Sequence, residues 1–170
     1  RRRRGRLEVV SQLWSGTDCT PTRRGTVYTT EALTRRTREF IDVATSGVRL
    51  GEPISDKVTS HSYELMYAQF LLPLHADLQA AGQRLKLLEI GMGCDMVRGS
   101  PGASTTLWTR VLPNAEVWQA ELHGDCAKRL SSKLPVHVLV GDQADPTVVR
   151  SWVRTTGGGF HAIIDDGGHA

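Results

Sequence analysis

Up to Gly82 the apolar side chains recur at helical steps; beyond it they gather into short blocks closed by glycine, proline or aspartate. Leu33, Phe40, Ile41 and Ala44 follow Thr30, a candidate N-cap, at the spacing of one helix face, and Gly47 offers a stop. A second helix is predicted from His61 to Ala81, with Met66, Phe70, Leu74 and Leu78 as its buried stripe and Pro73 expected to kink or split it. Leu85, Leu87, Leu88 and Ile90 then run up to Gly91, the pattern of a strand covered on both faces. From there strand-like and helix-like segments alternate. Val117 and Trp118 mark a second strand that ends near Glu121, Cys126, Leu130 and Leu134 mark a helix, and Val136 to Val140 form a third strand. Asp145 is an N-cap followed by Pro146 at the first helical position; Val148, Val149, Trp152 and Val153 supply the buried face of that helix, and Gly157-Gly158-Gly159 ends it. Phe160, Ala162, Ile163 and Ile164 make a fourth strand. Four such units predict an α/β fold: a Rossmann-like, doubly wound parallel sheet over 83–170, cut off after its fourth strand. A helical extension over 30–82 and a basic arm of low order over 1–29 precede it.

Composition supports one core: 170 residues, 39% of them hydrophobic, are enough for a single compact domain. The net charge of +3 invites a nucleic-acid reading until its distribution is considered. Residues 1–49 hold 11 basic against 5 acidic side chains, whereas 50–170 hold 10 against 13. A phosphate-binding surface needs fixed Lys and Arg on the folded part, so no nucleic-acid partner is expected. Arg1-Arg2-Arg3-Arg4-Gly5-Arg6 reads as a solvated tail, the end of a targeting peptide or a truncation scar. No apolar run approaches the roughly 20 residues of a membrane helix, so no membrane partner is expected; cytoplasm and organelle are both open. Cys19, Cys94 and Cys126 are odd in number, widely spaced and free of any CxxC, which argues against a disulfide framework and a zinc site.

Ligands of doubly wound sheets sit outside the carboxyl ends of the strands, so the four strand ends are read as one site. Gly91 and Gly93 let a ligand approach the backbone without a Cβ in the way. A dinucleotide fingerprint would place a third glycine where Met96 stands, and the long Gly99-Ser100-Pro101-Gly102 insertion separates these glycines from the next helix, which disfavours NAD. Glu121, at the end of the second strand, is placed to accept hydrogen bonds from both ribose hydroxyls of a nucleoside; its plainer reading is a solvated acid at a helix start. Asp142 and Gln143 offer an acceptor and an amide for an adenine edge, or simply a turn. In Asp165-Asp166-Gly167-Gly168-His169, two carboxylates and an imidazole meet at the same crevice. Asp166 is a candidate ligand for a divalent cation such as Mg2+, and His169 a candidate base for a hydroxyl proton.

Leu88-Glu89-Ile90-Gly91-Met92-Gly93, Glu121, Gly141-Asp142-Gln143 and Ile163 to His169 together resemble the class I S-adenosylmethionine-dependent methyltransferases. The Asp-Gly-Gly-His ending is similar to that of the metal-dependent macrolide sugar O-methyltransferases and the related cephalosporin-hydroxylase-type group. Ser55-Asp56-Lys57-Val58-Thr59-Ser60-His61-Ser62-Tyr63 is similar to the D-K-x-x-x-H-x-Y stretch that precedes their fold. The resemblance implies O-methylation of a small-molecule or sugar hydroxyl. It implies cofactor contacts from Glu89, Gly91, Gly93, Glu121, Asp142, Gln143 and Asp165, metal binding by Asp166 and catalysis by His169. Lys57, His61 and Tyr63 would close over the cofactor or cap a helix.

Two departures stand out: the loop after Gly93 is longer than the family's, and the family completes its sheet with three further strands carrying metal ligands and the acceptor pocket. If 170 residues were the whole protein, the fourth strand would be an unpaired apolar edge, which favours homo-oligomeric association or instability. The rival expectations are an NAD-dependent oxidoreductase and a non-catalytic fragment or interaction module. A third, an iron-dependent hydroxylase, is weaker because a facial triad needs a second histidine.

Overall fold

The computed structural model describes residues 30–59, 61, 63–94, 96 and 100–168. The arm expected over 1–29, Cys19 and the candidate base His169 lie outside these residues.

Helix α1 (Thr30–Thr45) buries Phe40 and Ala44, as its apolar spacing requires, and passes into a 3-10 turn at Ser46–Leu50. The short α2 (Asp56–Thr59) leads to α3 (Glu64–Met66) and α4 (Leu72–Ala80), which are joined by a π turn at Tyr67–Leu71. The break expected at Pro73 takes the form of the π turn that separates α3 from α4, the latter carrying in its first turn Pro73. Its ring lacks an N–H and crowds the carbonyl four residues earlier, and the wide turn ahead of it makes the room. That turn also changes which face is inside. Tyr67, Ala68, Leu71 and His75 are buried, whereas Met66 and Phe70, expected in the stripe, are 51% and 64% exposed. Leu74 and Leu78, beyond the turn, do pack against the core.

The remaining elements are β1 (Lys86–Ile90), α5 (Ala103–Val111), β2 (Glu116–Glu121), α6 (Gly124–Ser131), β3 (His137–Val140), α7 (Pro146–Thr156) and β4 (Ala162–Asp165). All strand pairs are parallel, in the order β3-β2-β1-β4, which confirms the α/β doubly wound, Rossmann-like sheet. Helix α7 begins as its sequence dictates: Asp145 Oδ1 accepts the Thr147 N–H at 2.7 Å, Pro146 opens the helix, and Gly157 closes it at φ 74°.

Strand alternation divides the core into two layers. Leu87 and Val117 face α1, the π turn and α5, packing with Phe40, Tyr67, Leu71, Leu107 and Trp108. Leu88, Ala120 and Leu139 face α7, packing with Val149, Trp152 and Phe160. Each of these fully buried large side chains contributes about 1.5–3 kcal/mol by leaving water. At the amino ends β1 and β4 are tied by reciprocal bonds: His161 N–H donates to Lys86 O at 2.9 Å, and Lys86 N–H to His161 Nδ1 at 3.0 Å. No described helix is long and apolar enough to cross a membrane.

Candidate active-site cleft

Because β1 has β2 on one side and β4 on the other, the chain reverses direction across the sheet there, and the crevice opens over the carboxyl ends of these strands. A cleft of about 440 Å³ occupies that position. Gly91, Gly93, Glu121, Asp142, Gln143 and Asp166 all line it, so six of the sequence-derived positions are brought together. Gly91 earns its place differently from expectation. At φ 99° a Cβ there would lie 2.5 Å from the carbonyl oxygen of Asp166, so the close approach of the backbone leaving β4 demands glycine.

Glu121 is the best fixed of the six. It is 5% exposed; Oε2 accepts the Met92 N–H at 3.0 Å and Oε1 the His123 N–H at 2.9 Å. A carboxylate has about four lone-pair sites, so acceptor capacity remains on a group whose orientation is set by two backbone donors. Gln143 Nε2 donates to Gly167 O at 2.6 Å and ties the end of β3 to the end of β4. Asp142 Oδ1 accepts the Ala144 N–H at 2.7 Å, the turn role foreseen as its alternative, while still lining the cleft.

Glu89 and Asp165 do not line the cleft. Glu89 lies on the β1 face covered by α5 and is fully buried. Its Oε2 accepts from Ser104 Oγ at 2.7 Å, Trp108 Nε1 at 2.9 Å and Gln119 Nε2 at 2.7 Å. Its other oxygen sits 3.2 Å from Lys57 Nζ. Asp165 follows the opposite parity from Asp166, is exposed, and accepts the Gly167 N–H at 3.3 Å.

Lys57 does not simply close over the cleft. Its side chain is 3% exposed and its ammonium is paired with both Glu89 and Asp166, joining the extension to the ends of β1 and β4. Burial pulls its pKa down, but the two carboxylates outweigh that and hold it above the usual lysine value. The same carboxylates, together with burial as the largest cause, push the Tyr67 hydroxyl far up, so Tyr67 remains a neutral phenol, packed edge-on against Trp108 at 5.0 Å. His61 lines the cleft and stacks on Tyr63 at 5.4 Å.

The donors expected for a divalent cation do not fit one among the described residues. Asp166 already carries the Lys57 ammonium, and among the described residues no group of three or more His, Cys, Asp or Glu side chains is placed to hold a metal ion.

The cysteine expectation is corrected: Cys94 and Cys126 form a disulfide with Cα atoms 6.0 Å apart. They are 32 residues apart in sequence, but β1 and β2 are neighbouring strands, so the segments leaving their carboxyl ends start side by side. Sequence reading also missed His123 and Leu122 as lining residues. Their one signal was position, immediately after Glu121 at the strand end. No protein-family model, curated protein or solved structure is matched by this chain.

Proposed function

We infer that the cleft binds S-adenosylmethionine and that the protein is a methyltransferase acting on a small-molecule hydroxyl. The observation that carries this reading is Glu121, a buried carboxylate oriented by two backbone N–H groups at the end of β2, beside the Gly91–Gly93 turn. A cis-diol is the natural partner for such a fixed acceptor, because both of its hydroxyls donate. The cleft's size supports a ligand of this class, small-molecule sites being roughly 300–1,000 Å³. In this reading Asp142 and Gln143 meet the adenine edge, and Gly91 and Gly93 give the methionine end access to backbone. The Lys57–Glu89–Asp166 group, with two carboxylates to one ammonium, favours the positively charged sulfonium.

In the transfer the acceptor oxygen displaces the methyl carbon from sulfur, the C–S electron pair returns to sulfur as S-adenosylhomocysteine forms, and the hydroxyl proton passes to a base. His169, three residues beyond Asp166, is assigned that role from the sequence. No step is routed through a metal.

Calorimetric titration with S-adenosylhomocysteine tests the reading. Binding is expected in the wild type and in Thr155→Ala, on the far end of α7. A charge-assisted hydrogen bond contributes about 1.5–3 kcal/mol, so Glu121→Ala should bind roughly ten- to a hundredfold more weakly. No heat at millimolar ligand would end the proposal, and binding of NADH instead would replace it with the oxidoreductase reading.

A further inference from the structure

Two joints connect the segment after β1 to the segment after β2 at the rim of the cleft. One is polar: Glu121 holds the N–H groups of Met92 and His123. The other is covalent: Cys94, next to Gly93, is bonded to Cys126, which lies in the first turn of α6. Gly93, Met96 and Ser100 line one wall of the cleft, and Leu122 and His123 line the other, so the disulfide spans the same two walls that Glu121 spans. Both cysteines are half-buried, which leaves the bond within reach of a small dithiol.

We propose that the Cys94–Cys126 bond is a redox latch on the cleft: closed, it holds Glu121 and the glycine turn in binding geometry, and opened, it weakens the site. The statement about affinity rests on the reading of the cleft as a cofactor site. Opening is a balanced exchange in which a dithiol supplies two electrons and two protons, the S–S bond breaks, Cys94 and Cys126 become thiols, and the dithiol closes to its own disulfide. With the covalent joint gone, only a preorganised ligand contact is lost, not the sheet beneath it, because β1 and β2 remain paired over five residues. Linkage makes the effect reciprocal, so a ligand that prefers the latched form makes the bond harder to reduce by the same factor. The chain then reaches full affinity in an oxidising compartment.

The test compares the full chain oxidised, reduced with dithiothreitol, and as the Cys94→Ser/Cys126→Ser variant, using amide hydrogen exchange and S-adenosylhomocysteine titration. On opening, exchange at Met92 and His123 should accelerate about tenfold or more through local opening, while Leu88 and Val149 change only with the unfolding free energy read by denaturant titration. Affinity should fall by about the same factor, and saturating ligand should shift a glutathione redox titration toward the disulfide by that factor too. Unchanged exchange at Met92 and His123, or equal affinity in both redox states, overturns the latch. So does equal acceleration at Leu88 and Met92, both following the unfolding free energy, which would mean that the bond merely holds the whole fold together. Local acceleration in a chain that binds no adenosyl ligand even when oxidised sinks the cofactor reading and leaves the latch standing.

Discussion

Lys57 joins the helical extension to the ends of β1 and β4. It is a buried cation whose two carboxylate partners come from β1 and from the end of β4. Removing one partner of a buried ion pair leaves an uncompensated charge, so Lys57→Met should cost about 3–5 kcal/mol in a denaturant titration. Its pKa stands above the ordinary 10.5, so its stabilisation is fully present below that pH and is lost as pH rises through the higher folded value. The wild type should therefore lose stability above about pH 10.5 more steeply than Lys57→Met. His161 behaves in the opposite sense. Burial, then Lys86, lower its pKa against the pull of Glu116, and its neutral Nδ1 accepts the Lys86 N–H. Below about 6.5 protonation works against the fold, so stability should fall from pH 7 to pH 5 more in the wild type than in His161→Gln. Glu121 was legible at this scale because a strand end is marked locally by the glycines and acids around it. The real surroundings of Glu89 were not, because its partners Ser104, Trp108 and Gln119 come from α5 and β2.

Elements were legible where their ends are chemically marked. Asp145, Pro146 and the glycine run fixed α7, and Asp145→Ala should cost about 1 kcal/mol of unfolding free energy by leaving the first turn uncapped. The helical run over 64–80 was legible in existence, and Leu74 and Leu78 do pack inward, but the exposure of Met66 and Phe70 was not legible, since periodicity assumes a constant turn and the π turn at Tyr67–Leu71 breaks that assumption. A paired substitution checks this. Leu71→Ala should cost about 2–5 kcal/mol, whereas Phe70→Ser, on the exposed side, should stay within about 0.5 kcal/mol. The reverse ranking would restore the stripe through Met66 and Phe70.

For the whole molecule, the disulfide closes a loop of 32 residues that contains α5 and β2. Chain-entropy reasoning gives such a cross-link about 3–4 kcal/mol, so reduction should lower the melting temperature without abolishing the sheet, read by circular dichroism. The apolar blocks, glycines and caps of the chain determined an α/β sheet and which strand ends would line the cleft, because alternation, turn formation and capping act over a few neighbouring residues. Only the tertiary structure decided that Lys57 neutralises Asp166, that Glu89 turns inward and that Cys94 meets Cys126. Those outcomes depend on which segments the parallel sheet sets side by side, and proximity between residues tens of positions apart leaves no trace in local spacing.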